Sequence, residues 1–227
     1  MMRLSSADIA RMMDISAVQA QSTLQDIDCV CSTADEFGAA AVFSLPAHVS
    51  YMRKRLPPGS TVALAGVSGF PSGAELTETK ADTARRLVDF GCDEIDMVNN
   101  IAWLKAGMEK EYKSDVAAVV AAAGGLPVKV ILECHWLTDE EIVRASRWSM
   151  EAGAAWIKTG TGWAPTGATV ERCRLMKETV GDHCGVKAAG GVRTLDMLLS
   201  LYEVGVRRFG IGVKTARSIL DEAAQRL

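Results

Sequence analysis

Lys158 closes a short apolar run, Ala154-Ala-Trp-Ile157, and is followed at once by Thr159-Gly-Thr-Gly162. Such a run reads as a parallel strand buried on both faces, and in α/β folds ligands gather where these strands end. A lysine whose stem packs among Trp156 and Ile157 loses hydration. That disfavours its ammonium form and brings the amine toward the range where it is a nucleophile. The competing reading is a lysine that covers apolar surface and keeps its charge in water. Two further groups bear on the choice: Lys187 in Cys184-Gly-Val-Lys-Ala188, and Asp96 in Asp93-Glu-Ile-Asp-Met-Val98. If all three stand at comparable strand ends, the two lysines lie on neighbouring strands about 5 Å apart. Each ammonium then depresses the pKa of the other, as in activated amine nucleophiles. A free amine attacks a carbonyl to give an imine, and the protonated imine is an electron sink for making or breaking a carbon–carbon bond. This chemistry needs no metal and no cofactor. It does need a proton shuttle, a role that falls to Asp96, with Asp14 as a second candidate in the relay.

The elements that must position these groups alternate along the chain. Strand-like runs are read at 13–15, 39–43, 61–66, 93–98, 128–133, 154–158, 184–188 and 207–210, with helical periodicity or capping after each. The clearest helix start is Thr138-Asp-Glu-Glu141, a capping box. One long helical stretch is expected from Trp103 to Ala123, and a short helical extension over 1–12 precedes the first strand. Eight strand–helix pairs over 227 residues predict an α/β protein, a single-domain (β/α)8 barrel with catalytic groups at the C-terminal strand ends. A doubly wound open sheet is the alternative fold, but its GxGxxG fingerprint after the first strand is absent. In such a barrel the last loops commonly bind phosphate through backbone N–H groups. Gly190, Gly191, Gly210 and Gly212 fall there, and Thr159, Thr161 and Gly162 form the turn after Lys158.

Composition narrows the function classes. The chain has 48% hydrophobic and 23% charged residues and a net charge of −3. No window carries a Lys/Arg stripe suited to a nucleic acid backbone. No segment has the roughly 18 apolar residues of a membrane span, and no signal-peptide pattern opens the chain, so a cytoplasmic protein is expected. The six cysteines lack framework spacing and read as reduced and mostly buried. His48, His135 and His183 are scattered, so no metal site is expected, and Cys134 lacks a base. Trp163 follows the Thr-Gly-Thr-Gly turn and is expected to overhang the site. The remaining partner is a small-molecule substrate, and the apolar outer helices leave surface for a homo-oligomer.

At these residues the sequence resembles the deoxyribose-phosphate aldolases, class I aldolases of the (β/α)8 fold. The resemblance runs from Met13-Asp14 to about Leu220. It rests on Glu94-Ile-Asp-Met-Val98 with the following Asn, Val128-Lys-Val-Ile-Leu-Glu133, Ile157-Lys-Thr-Gly-Thr-Gly162 and Lys187-Ala-Ala-Gly-Gly-Val-Arg-Thr194. The resemblance implies that Lys158 forms the Schiff base, that Lys187 perturbs it, and that Asp96 joins the proton relay. It also implies reversible cleavage of 2-deoxyribose 5-phosphate to glyceraldehyde 3-phosphate and acetaldehyde. The departures concentrate on the phosphate side, and near the N-terminus an Asp-His-Thr-like motif is replaced by Asp14-Ile-Ser16. A Gly-Ala-Ser-Ser-like turn is replaced by Gly210-Ile-Gly-Val213, a serine by Gly160, a lysine or phenylalanine by Trp163, and a cysteine-containing strand end by Phe43-Ser-Leu-Pro46. Lys214 or Arg193 can add charge there. A relative acting on a different, unphosphorylated aldehyde pair and a non-catalytic ligand-binding barrel are the alternatives.

Overall fold

A computed structural model describes residues 4–57 and 59–227. Residues 1–3 of the expected extension, and Pro58 of the Pro57-Pro-Gly break, lie outside the described residues. Eight parallel strands close into a barrel in chain order, with β8 pairing back onto β1. They are β1 (Met13–Ala17), β2 (Ala41–Ser44), β3 (Ala63–Ser68), β4 (Glu94–Val98), β5 (Val128–Ile131), β6 (Trp156–Lys158), β7 (Gly185–Ala189) and β8 (Arg208–Gly212). This is the expected (β/α)8 architecture. Ten α-helices are described: α1 (Ser6–Ala10) ahead of the barrel, then α2 (Leu24–Phe37), α3 (Val49–Arg55), α4 (Thr77–Asp89), α5 (Ile101–Lys105), α6 (Glu109–Ala122), α7 (Asp139–Glu151), α8 (Val170–Val180), α9 (Leu195–Glu203) and α10 (Val213–Arg226). None of them is long and apolar enough to cross a membrane.

Local chemistry explains most boundaries. Thr138 accepts from the Glu141 backbone while the Glu141 carboxylate accepts from the Thr138 N–H, so α7 starts on the expected capping box. Thr23 and Asp26 do the same for α2, and Gly38 ends that helix in the left-handed conformation. The single helix expected over 103–123 is two. Gly107 adopts φ 70°, a left-handed turn that ends α5, and α6 begins two residues later with Glu109.

The core has two compartments. The larger lies between the barrel wall and the helices, where outward residues such as Ile15, Leu64, Ile95, Val130, Ile157 and Phe209 are fully buried. The smaller is inside the barrel and consists of Ala41, Phe43, Ala65 and Val67 from β2 and β3. The other six strands send charged groups inward, so the interior is apolar on the β2–β3 side and ionic elsewhere.

Candidate active site

Lys158 and Lys187 are paired across β6 and β7 in direct register. Both ammonium groups donate to the same oxygen of Asp96, Lys158 at 2.8 Å and Lys187 at 2.9 Å. Lys187 also lies 2.6 Å from Asp14. All four residues are buried, so the sequence-derived constellation is brought together as one cluster. Its location differs from the expectation in one respect. Only Lys158 is the last residue of its strand; Asp14, Asp96 and Lys187 sit within β1, β4 and β7. The stagger of strands in a barrel brings positions at different heights along their own strands to one level, so the cluster occupies the barrel interior rather than a ring of strand ends.

Electrostatics divides the two lysines. Burial is the largest influence on Lys158 and, with repulsion from Lys187 added, outweighs the attraction of Asp96, pulling its pKa down to about 8. Burial acts on Lys187 in the same sense, but Asp14 and Asp96 together overcome it and hold its pKa above the ordinary value. Burial would raise Asp96, yet Lys158, Lys187 and Lys129 keep it well below the usual carboxylate range. The cluster therefore holds one amine that loses its proton near neutral pH beside one persistent ammonium. The ring of Phe43 lies against the latter, with Lys187 Nζ 4.0 Å from its centroid, a cation–π contact that further favours the charged form.

A cavity of about 720 Å³ opens above the cluster at the C-terminal ends of the strands. Asp14, Lys158 and Lys187 reach it, whereas Asp96 lies beneath the lysines and does not line it. Thr161, Gly162, Gly190, Gly191, Gly210 and Gly212 line the cavity as expected. Thr159 does not. Its hydroxyl bridges β6 to β7, donating to Ala189 O at 2.8 Å and accepting from Ala189 N at 2.9 Å. Gly210 has a second use: a Cβ there would stand 2.9 Å from the Ala189 Cβ, so the bare backbone lets β8 lie against Ala189 of β7. Arg193 and Lys214 stand at the rim, and α10 begins there on Gly212 without a side-chain cap, leaving first-turn N–H donors open to an anion.

The rim is tied together by Trp163. Its indole N–H donates to Val18 O at 2.9 Å, and its ring meets Phe70 edge-on at 5.7 Å, joining the loops after β1, β3 and β6. Val18 and Phe70 line the cavity, but Trp163 itself does not, so it braces the wall rather than overhanging the cluster. Beneath the turn, Glu133 holds φ 57° and accepts from the Thr161 N–H at 3.2 Å and from the Thr161 hydroxyl. Cys134 is fully buried, and burial pushes its thiol far up, the setting of an inert structural cysteine. Three interior groups escaped the sequence reading as site residues: Glu94, Lys129 and Arg208. Period-two alternation was the available signal. Glu94-x-Asp96 on β4 and a lone lysine in the apolar run of β5 place these side chains on the interior face.

Known proteins match this chain along its length. The family model described as DeoC/LacD family aldolase covers residues 7–221. A deoxyribose-phosphate aldolase of Rhizobium meliloti is 41% identical over 97% of this chain and 89% of its own length. Another, of Thermococcus kodakarensis, is 42% identical over 96% and 100%. Among solved structures, an aldolase named QR15 superposes with a TM-score of 0.90 at 32% identity, covering 96% of this chain and 97% of that one. The tetrameric deoxyribose phosphate aldolase from Aeropyrum pernix shares the fold, with a TM-score of 0.85 at 24% identity over 96% and 92% of the two chains. These matches extend over the whole barrel that carries the paired lysines, and the chain belongs to the DeoC/LacD family of aldolases.

Proposed function

We propose that this aldolase cleaves 2-deoxyribose 5-phosphate reversibly to glyceraldehyde 3-phosphate and acetaldehyde through an imine on Lys158. The observation that carries the reading is the asymmetric lysine pair on one Asp96 oxygen, at the floor of a cavity large enough for the sugar phosphate. The Lys158 amine adds to the C1 aldehyde, and loss of water gives the protonated imine. A base takes the proton of the C3 hydroxyl, the C2–C3 bond breaks, and its electron pair moves into the imine to leave an enamine. Glyceraldehyde 3-phosphate departs. Protonation of the enamine at C2 and addition of water release acetaldehyde and restore the amine.

Lys187 and Asp14 reach the cavity and are placed to move these protons. Asp96, beneath them, holds the lysines and takes part in the relay through Lys187 rather than by touching substrate. Arg193, Lys214 and the N–H groups of Gly191, Gly212 and Val213 form the anion end. Six free cysteines, five of them buried, suit the reducing cytoplasm in which we place the enzyme.

Reduction with cyanoborohydride in the presence of acetaldehyde is expected to ethylate Lys158 in the native chain well ahead of the exposed lysines, and only that slow background is expected in Lys158→Ala. Ethylation of Lys158 no faster than that of the exposed lysines, or full turnover of deoxyribose 5-phosphate by Lys158→Ala, overturns the imine assignment.

A further inference from the structure

Seven charged groups share the barrel interior, and their pairing is uneven. Arg208 on β8 spans two carboxylates. Its Nε and Nη2 donate to Asp14 Oδ1 at 2.8 and 2.5 Å, and its Nη1 and Nη2 donate to Glu94 Oε1 and Oε2 at 3.0 and 2.8 Å. Lys129 on β5 lies between Glu94 at 2.5 Å and Asp96 at 3.3 Å. Lys187 on β7 lies between Asp14 at 2.6 Å and Asp96 at 2.9 Å. Lys158 on β6 has Asp96 alone, at 2.8 Å, and shares it with both other lysines. The remaining two strands, β2 and β3, turn Phe43 and Val67 inward and bring no ionisable group.

Four basic groups thus face three carboxylates, Asp14 and Asp96 fully buried and Glu94 nearly so. In a poorly hydrated cluster an excess cation is costly, and the proton leaves first from the member with the fewest carboxylates. Three of the four basic groups are each held by two. Lys158 is held by one, and it lines the cavity together with Lys187.

We propose that Arg208 and Glu94 are positioning residues whose ion-pair clamp, away from the substrate, sets the interior charge so that Lys158 carries the one surplus proton. This rests on the reading of Lys158 as the imine-forming amine. Arg208 keeps Asp14 and Glu94 from answering to Lys158, while Glu94 ties Lys129 down and limits the cationic excess to one. The ring of Trp156, 5.9 Å from the guanidinium, supports Arg208 from β6. That ring occupies the space a side chain at Gly185 would need, its nearest atom 2.2 Å from where a Cβ would stand.

The two residues then act with opposite sign. Arg208→Met leaves three basic groups against three carboxylates, so the Lys158 ammonium becomes compensated and gives up its proton at higher pH. Glu94→Gln leaves four against two, and the proton leaves at lower pH. A residue that only braces the barrel would impair the site in both variants without moving the limb in opposite directions.

The experiment is the pH dependence of the ethylation rate of Lys158 by acetaldehyde and cyanoborohydride in wild type, Arg208→Met, Glu94→Gln and the double variant. The acid limb is expected to move upward in Arg208→Met and downward in Glu94→Gln, each by about one pH unit, the effect of a unit charge roughly 10 Å away at an effective dielectric near 20. The double variant returns toward wild type. Limbs that stay put, or move in the same direction, overturn the inference while leaving the imine reading intact; a native chain in which Lys158 is not ethylated overturns both. Glu94→Gln is nearly isosteric, so if Arg208→Met does not fold, the direction of the Glu94→Gln limb decides alone.

Discussion

Lys158 and Lys187 are the same residue type in register on adjacent strands, and burial acts on both, yet their proton affinities move in opposite directions. The difference is the number of carboxylates each one meets. Imine formation needs the free amine, so with a Lys158 pKa of about 8 the rate of adduct formation rises with pH below that value and levels above it. Per unit of pH the rise is about tenfold, since the free amine is the minor form there. Lys187→Met removes the ammonium that repels the Lys158 proton and also a proton carrier facing the cavity. We expect the acid limb of adduct formation to move upward and turnover of deoxyribose 5-phosphate to fall by about 10²- to 10⁴-fold, the usual worth of a positioned acid or base. Steady-state kinetics over a pH series checks both. An acid limb that stays in place shows that Lys187 leaves the Lys158 pKa untouched. At this scale the sequence was legible for Lys158, Lys187 and Asp96 because lysines and an aspartate inside apolar runs are conspicuous. It was not legible for the sharing of a single Asp96 oxygen, because that depends on stagger between strands far apart in the chain.

At the level of elements, the strand–helix alternation could be read directly, since each apolar run and each cap is local. The split between α5 and α6 could not, because Gly107 lies in a stretch that otherwise has helical composition and only its positive φ reveals the turn. A second unread feature joins α4 to α6. Lys80 and Asp115 are buried and 2.7 Å apart, Lys80 also donates to Val98 O at 3.1 Å, and Thr77 donates to Asp115 at 2.9 Å. Helical amphipathicity assigns both charges to solvent; tertiary packing turns them toward each other behind β4. Removing one partner of such a pair leaves the other charge buried without compensation. Asp115→Ala is expected to lower unfolding stability by about 3–5 kcal/mol, measured by urea denaturation, while the acid limb of Lys158 ethylation stays in place. A loss below about 1 kcal/mol would mean that Lys80 finds water or another acceptor. The turn after Lys158 is a comparable case on the site side: a Cβ at Gly160 would stand 2.7 Å from Glu133 Oε1, so the glycine that departs from the family pattern accommodates the carboxylate holding Thr161.

For the whole molecule, the barrel separates bond chemistry from substrate choice. The interior carries the paired lysines, whereas the rim formed by the loops after β1, β3, β6, β7 and β8 surrounds the approach to them. The same separation explains what the sequence revealed: interior charges are few and strongly constrained, so residue type alone pointed to imine chemistry. The proposed anion end draws mostly on backbone and on exposed long side chains, which sequence can locate but not orient. With the family's two hydroxyls replaced by Gly212 and Val213, the cationic share of the proposed phosphate binding would fall on Arg193 and Lys214, which line the cavity. The double variant Arg193→Gln/Lys214→Gln is therefore expected to raise KM for deoxyribose 5-phosphate by at least tenfold, equivalent to about 1.4 kcal/mol. It should leave kcat within a few-fold, because neither residue is near the imine carbon. Unphosphorylated deoxyribose supplies the control: its KM should already be high in the native chain and should not change in the variant. Equal native efficiency on the two sugars, with no response of either to the variant, would show that the rim does not recognise phosphate and that the physiological aldehyde pair is uncharged.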